Sequence, residues 1–348
     1  MSRQFVAFSG LAMVLIVLNH SIQMSMEAAV AAGYALPGGV GRFLLTVLQA
    51  LGVFAVPIFL FISGAFVAYA AKGAPRLSTK FVWKSIRHIL WPYLVWSIVF
   101  YILIYFHGGQ RFSAAGYLKN LATGFPFHFV PLLILFYVAS PALIPAARRH
   151  PWLLLGVIGG YQLLLIAIRQ PDVFSISLPA PVRLLNPPIV GGTFSDWGIF
   201  FPLGTVFSLH ASSLKTRLER VKWISVLATL ALFVLGLLHA TDVVSAPWAR
   251  FIVPLPLLLV VPVVQRRSIP AVQQLEKVGK RSYGLYLTHL IVIDLLLWAI
   301  ELLARPLLAY QYVLFPLLFV VGLALPVIIM SDVAQRRPTR KVYRYVFG

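Results

Sequence analysis

The chain has 348 residues and a formal net charge of +20; 60% of its residues are hydrophobic and only 11% are charged. Soluble domains carry about 25% charged residues, so this composition excludes a soluble globular protein of this length. Lipid must be the solvent for most of the chain. Because the sequence contains no cysteine, it also excludes disulfides, zinc–thiolate sites and a cysteine nucleophile.

Apolar segments recur along the whole sequence. A helix needs about 20 apolar residues to cross the hydrocarbon of a bilayer. The sequence therefore predicts an all-α polytopic membrane bundle of about ten transmembrane helices, and we expect residues 1–348 to form a single domain. The first segment predicts a span rather than a cleaved signal peptide, because its apolar run is too long. The ten approximate spans are 5–26, 43–70, 89–106, 128–146, 151–168, 197–213, 223–241, 247–265, 282–303 and 309–331.

The basic residues predict that both termini are cytoplasmic. Cytoplasmic loops of membrane proteins are enriched in Lys and Arg, and all but seven of the 29 basic residues fall in segments that this orientation places inside. The charge is explained by contact with membrane lipids. No nucleic-acid motif accompanies it, so we expect no nucleic-acid partner. The seven basic residues in outer segments are Arg42, Arg111, Lys119, Arg169, Arg183, Arg250 and Arg305.

Polar side chains within the predicted spans are costly in lipid and are therefore functional hypotheses. His20 lies in the outer half of the first span, next to Asn19, and its neutral imidazole can act as a general base. In the ninth span, the spacing of Ser282, Tyr286 and His289 places them on one helix face. Each of these groups can instead make a structural hydrogen bond between helices.

Three further patterns have two interpretations each. Ser63, followed by a glycine, predicts close helix packing or a cavity wall. Lys84 and Arg87 open the third span on the cytoplasmic side, where they either extend to lipid phosphates or bind the phosphates of a soluble cofactor. Asp294 and Glu301 lie two turns apart on one face, which suits a proton or cation path or the neutralisation of a basic residue. The histidines at 107, 128, 210 and 239 show no metal-type spacing, so we expect no metal.

Five blocks, in order, resemble the membrane acyltransferase family 3, which O-acylates surface sugars, exopolysaccharides and some antibiotics. They cover roughly residues 5–290. Two positions depart from the family pattern: Ser9 stands where an arginine is common, and Lys84 replaces the first arginine of an Arg-x-x-Arg element. The role of the missing arginine would be absent or supplied elsewhere, by Arg3 or Arg42. The blocks are the apolar first helix ending in His20, the segment 56–66, the segment 84–93 with its Pro-Tyr, the segment 128–141, and the Ser-Tyr-x-x-Tyr-Leu-x-His block ending in His289.

The resemblance implies a ten-helix O-acyltransferase of the bacterial inner membrane. It would transfer an acyl group, expected to be acetyl, from cytoplasmic acetyl-CoA to a hydroxyl of a surface or exported polysaccharide or of a lipid-linked oligosaccharide. Polysaccharide assembly machinery is an implied partner. The resemblance further implies that His20 is the catalytic base and that Lys84 and Arg87 bind the acyl-CoA. The residues that would line the cavity are Asn19, Ser63, Tyr286 and His289.

Two other classes of function remain open from the sequence. The first is a transporter or flippase for a glycan or lipid-linked precursor, with no acyl-transfer chemistry. The face that carries Asp294 and Glu301 supports it, whereas the absence of an internal repeat counts against it. The second is a purely structural subunit of a polysaccharide export assembly.

Overall fold

The protein was analysed as a computed structural model, which describes residues 3–71, 77–107, 109–336 and 340–348, with only the backbone of 340 and 341. Of the basic residues in the predicted inner segments, Lys72, Arg76 and Arg337 lie outside the described residues. The described parts are helical and contain no strand. The helices are α1 (Arg3–Ala31), α2 (Gly39–Ala50), α3 (Ala55–Ala70), α4 (Thr79–Phe106), α5 (Ala114–Thr123), α6 (Phe129–Arg149), α7 (Pro151–Arg169), α8 (Gly191–Trp197), α9 (Phe200–Leu209), α10 (Ala211–Ala240), α11 (Ala249–Ile252), α12 (Pro254–Val260), α13 (Val272–Gly279), α14 (Ser282–Leu303), α15 (Gln311–Gln335) and α16 (Arg340–Val346).

The prediction of an all-α polytopic membrane bundle is confirmed. Within the described residues, eight helical segments are long and apolar enough to cross a membrane, and they correspond to eight of the ten predicted spans. One of these segments, Gly39–Ala70, consists of α2, a short 3-10 helix at Leu51–Phe54, and α3. α4 begins ten residues earlier than the predicted third span, so Lys84 and Arg87 lie on a helix.

The sixth and eighth predicted spans correspond to shorter apolar helices, Phe200–Leu209 and Ala249–Val260. The sixth segment is interrupted between the end of α8 at Trp197 and the start of α9. In the eighth segment, α11 ends at Ile252 and α12 begins at Pro254. Proline has no N–H to continue the hydrogen bonds of the preceding turn, which explains why this segment is divided.

The chain divides into two compact units. Unit 1 comprises Met1–Phe5, Val56–Arg87 and Leu118–Pro270, and unit 2 comprises Val6–Ala55, His88–Tyr117 and Ala271–Gly348. This division describes compactness only, and the expectation of a single functional domain stays a prediction.

Unit 1 contains a close crossing of α3 and α9. A Cβ added to Gly204 would lie 1.9 Å from the carbonyl oxygen of Phe61, and one added to Gly64 would lie 2.0 Å from that of Phe201. The Thr205 hydroxyl donates to the carbonyl oxygens of Phe201 and Gly64, at 3.0 and 3.3 Å. The packing interpretation of the Ser63-Gly64 pair therefore holds at Gly64, where backbones meet directly.

Unit 2 contains an equally close crossing at the start of α1. A Cβ on Gly279, the last residue of α13, would lie 1.9 Å from the carbonyl oxygen of Val6, and one on Gly10 would lie 2.0 Å from that of Leu275. α14 packs along α15, where Gly322 faces Ile293 of α14 and Val17 of α1. Helices α1, α14 and α15 thus surround a common interior.

We expect Gly204→Ala to destabilise the protein, because the new methyl group meets backbone atoms of α3 that cannot move aside. Overpacking of this kind costs about 1–3 kcal/mol. The matched control is Gly236→Ala on α10, where a Cβ meets nothing within 4 Å and alanine favours the helix by about 1 kcal/mol. Thermal melting of the detergent-purified variants tests this. A Gly204→Ala protein that melts as high as Gly236→Ala would contradict the close crossing.

Candidate active site

The candidate site lies in unit 2, where two histidines meet. His20 projects from α1 and is partly buried, and its ring lies beside that of His289 from α14, with 5.4 Å between ring centroids and 40° between ring planes. The two residues are 269 positions apart in the sequence. The structure therefore brings together the two histidines that the sequence analysis singled out separately.

His289 is completely buried, with 0% of its surface exposed. Its Nδ1 lies 3.1 Å from the carbonyl oxygen of Leu285. A carbonyl can only accept, so in the neutral ring Nδ1 carries the hydrogen and Nε2 is the acceptor. This tautomer follows from the hydrogen bond. Nε2 is buried and has no hydrogen-bond partner among the described residues, a state that costs about 1–3 kcal/mol in a protein interior.

Tyr286 lies one turn before His289 on the same face of α14, as their spacing predicts. Its side chain is buried, with 6% exposed, and its ring centroid is 5.9 Å from that of His289. His20, Tyr286 and His289 thus form one polar group inside an otherwise apolar set of helices. Such a group in lipid can bind or relay a proton.

A close crossing of α1 and α13 lies ten residues before each histidine. Gly10 precedes His20, and Gly279 precedes His289, by the same number of residues. His20 lies on the same helix as Gly10, whereas Lys280 and Arg281 separate α13 from α14, which carries His289. The crossing therefore holds the start of α1 against the segment that leads into α14.

Asn19, whose place in the cavity lining stays a prediction, makes a hydrogen bond between two helices. Its Nδ2 donates a hydrogen bond of 2.9 Å to the carbonyl oxygen of Gln49, and a Cβ on Gly52 would come within 3 Å of its side chain. Asn19 therefore attaches α1 to the end of α2. Its amide fixes the helix turn that carries His20.

The other predicted site residues belong to unit 1. Ser63 is partly buried on α3, while Lys84 and Arg87 are exposed on α4 and lie three residues apart, on one helix face. An exposed pair of cations on one face is available to a phosphorylated ligand. Their assignment to acyl-CoA and that of Ser63 to the cavity stay predictions.

A second polar group lies in unit 2 and includes a residue that the sequence analysis did not select. His107, just after α4, lies with Nδ1 3.6 Å from Asp294 Oδ2 and Nε2 4.0 Å from Glu301 Oε2. The predicted common face of the two acids is thus confirmed, with a basic residue between them. His107 gave no signal in sequence, because its partners lie almost 200 positions away.

Unit 1 also contains an acid that the sequence analysis passed over. Asp196 lies on α8, and its burial raises the pKa of the carboxyl, while the positive charges of Arg250 and Arg169 lower it. Arg250 also contacts Gln170 and lies over the Phe251 ring. These arginines were counted in the outer segments for topology alone. Here their charges act on a partly buried acid.

Ser9, the first departure from the family pattern, and Arg42, a suggested substitute for the missing arginine, occupy different surroundings. Ser9, in place of the common arginine, is buried on α1, where a longer charged side chain would need a polar partner. Arg42, one of the suggested substitutes, is exposed and directs Nη1 to the sulfur of Met26 at 3.3 Å. In the described parts of the chain, no group of three or more His, Cys, Asp or Glu residues is arranged to hold a metal.

The residues just described fall within one known family. The family model described as "Acyltransferase domain" matches residues 9–332, which include both histidines of the site, Lys84 and Arg87. No curated protein and no solved structure matches the chain. Since the matched residues make up nearly the whole sequence, the chain belongs to the membrane acyltransferase family 3.

Proposed function

We propose that the protein is an O-acetyltransferase that uses cytoplasmic acetyl-CoA to acetylate a hydroxyl of a surface or exported polysaccharide. One observation supports this above the others: in a chain of an acyltransferase family, His20 lies partly buried against a fully buried second histidine. A general base needs a neutral ring within reach of a substrate proton. The expected location is the inner membrane of a bacterium.

In the proposed reaction, His20 takes the proton of the acceptor hydroxyl as its oxygen attacks the thioester carbonyl. The new C–O ester bond forms, the C–S bond breaks, and the proton returns from His20 to the departing thiolate of coenzyme A. His289 and Tyr286 would orient the His20 ring. In a two-step variant, His20 itself attacks and carries the acetyl group before the hydroxyl arrives. The apolar helices around the pair keep water from hydrolysing the thioester.

We expect His20→Ala to lower acetyl transfer from labelled acetyl-CoA by about 10²–10⁴-fold, the usual contribution of a general base. His289→Ala should cost less, because that ring orients the base. The matched control is His150→Ala, an exposed histidine at the start of α7, which should retain full activity. Turnover that persists unchanged in His20→Ala contradicts this assignment, and a larger loss in His289→Ala than in His20→Ala would make His289 the base.

The donor site is proposed on α4, because acetyl-CoA is made in the cytoplasm and carries several phosphates. Lys84 and Arg87 share one exposed face near the predicted inner end of this helix. Charge-assisted hydrogen bonds from such cations hold phosphates well. Lysine at position 84 keeps the charge of the family arginine but loses its bidentate geometry.

We expect Lys84→Ala and Arg87→Ala each to raise the KM for acetyl-CoA by about 10–100-fold, since a hydrogen bond to a charged group contributes about 1.5–3 kcal/mol. With acetyl-pantetheine, which lacks the nucleotide phosphates, the variants should match the wild type. Arg217→Ala, an exposed cation on α10, is the matched control. Equal losses with both donors would exclude a phosphate-binding role.

The acceptor class is tested in cells. In a strain without this protein, we expect the O-acetyl signals of one surface or exported polysaccharide to disappear from the NMR spectrum of the purified glycan. Wild-type protein should restore these signals and His20→Ala should not. If every polysaccharide keeps its acyl groups, the glycan proposal is wrong and a small-molecule acceptor takes its place.

A transporter or flippase is the second candidate, favoured by the contact of His107 with Asp294 and Glu301. Carboxylates beside a histidine within membrane spans are typical of proton relays in transporters. This alternative predicts no His20-dependent turnover of acetyl-CoA by the purified protein. The same assay therefore separates the two functions.

A further inference from the structure

Unit 2 contains a pocket of about 270 Å³ beside the second polar group. The end of α1 from Met24 and the following residue, Ala32, line it, together with α14 from Asp294 to Glu301 and with His107. Ligand sites usually measure about 300–1,000 Å³. This pocket therefore has room for about one small ring.

Acidic residues line the pocket, although the protein as a whole is strongly basic. Glu27, Asp294 and Glu301 are three of only nine acidic residues in a chain of net charge +20. One residue of the described lining, His107, is basic, so acidic residues outnumber basic ones by three to one. A negative lining repels anionic ligands and accepts hydrogen bonds from hydroxyl or ammonium groups.

The carboxylates keep hydrogen-bonding capacity. The His107 nitrogens lie 3.6 Å from Asp294 and 4.0 Å from Glu301, which is longer than the 2.7–3.2 Å of a hydrogen bond. Asp294 Oδ2 is buried and makes no hydrogen bond to any described residue. Glu27 accepts from Gln23 at 2.9 Å through one oxygen, Oε1. The contacts with His107 therefore leave carboxylate oxygens of the pocket able to accept further hydrogen bonds.

An aromatic face completes the lining. Trp298 is 40% exposed, and its ring centroid lies 5.1 Å from that of His107. It shares the pocket-facing side of α14 with Asp294 and Glu301. An aromatic ring offers a flat apolar surface with one polar handle, which suits the C–H face of a sugar ring. The carboxylates of Asp294 and Glu301, which would accept hydrogen bonds from the sugar hydroxyls, then lie at the edge of the Trp298 ring.

The pocket begins just beyond the histidine pair on both helices. Met24 follows His20 by four residues and Asp294 follows His289 by five, which corresponds to about 6–8 Å along each helix. The basic residues predict that these ends of α1 and α14 face the outside. A hydroxyl bound in the pocket would thus approach the pair from the predicted outer side.

We propose that this pocket binds the sugar ring of the acceptor and that it selects a neutral or amino sugar over a uronic acid. This proposal rests on the proposed acetyltransferase function and specifies its acceptor. Asp294 and Glu301 accept hydroxyl or ammonium hydrogens of the ring, and Trp298 supports its apolar face. A carboxylate on the sugar would meet Asp294 and Glu301 across a small, partly buried space.

The experiment uses purified full-length protein and three methyl glycosides: a neutral glucoside, a glucosaminide and a glucuronide. Saturation-transfer NMR measures binding without acetyl-CoA, and labelled acetyl-CoA measures transfer to each sugar. We expect the wild type to prefer the neutral and amino sugars over the glucuronide by at least about tenfold, because like-charge contacts are strongly unfavourable. Equal binding of the glucuronide by the wild type would overturn the proposal.

Variants of the pocket residues test whether this pocket causes the sugar preference. Asp294→Asn with Glu301→Gln keeps shape but removes two charges, and should reduce the discrimination against the glucuronide by about tenfold or more. Trp298→Ala should weaken binding of all three sugars. The matched control Glu219→Gln, an exposed acid paired with Lys215 on α10, should preserve the wild-type preference. A preference that is unchanged in the double variant would also overturn the proposal.

The two proposals fail in different ways. If acetyl-CoA turnover depends on His20 but the sugar preference is insensitive to Asp294, Glu301 and Trp298, the acceptor site lies elsewhere. If the NMR shows charge-selective sugar binding that needs these residues but no acetyl transfer occurs, the pocket is a sugar site and the acetyltransferase proposal is wrong.

Discussion

The close crossing of Gly10 and Gly279 is the constraint that holds together the two segments carrying the candidate site. At this point a methyl group would overlap a backbone carbonyl on either side, so helix segments approach more closely than larger side chains allow. Lipid gives no hydrophobic force between helices, and such backbone packing is what holds them together. Farther along the same two segments, the rings of His20 and His289 lie with their centroids 5.4 Å apart.

Two sets of polar groups lie inside unit 2. One is the pair His20 and His289 with Tyr286, and the other is His107 with Asp294 and Glu301. A buried polar atom without a partner costs stability, and both sets contain one among the described residues, His289 Nε2 and Asp294 Oδ2. These two atoms therefore lower the stability of the folded protein in the part of unit 2 where the proposed site lies.

Much of the architecture could be predicted from the amino-acid sequence. Apolar length predicted the helical spans, and eight of them correspond to long helices, although α4 and α10 begin ten and twelve residues before the predicted spans. The two that are shorter contain local interruptions, at Gly198 and at Pro254, whose effect on helix length depends on what packs around them. The helix face of Asp294 and Glu301 was predictable from their spacing, because seven residues make two helical turns. The role of Asn19 was not, since its partner carbonyl belongs to Gln49 of another helix.

By itself, the sequence determined that lipid surrounds most of the chain and that the fold is helical. It also determined the blocks shared with the family and identified the two histidines as unusual residues. These properties depend on composition and on spacing within one helix, which is local information. Only the tertiary structure decided that His20 faces His289, that His107 lies between two acids, and that a pocket bounded by Trp298 lies next to them. Such pairings join helices far apart in the sequence. They depend on which small residues let backbones touch, and periodicity within a single helix carries no information about its partner.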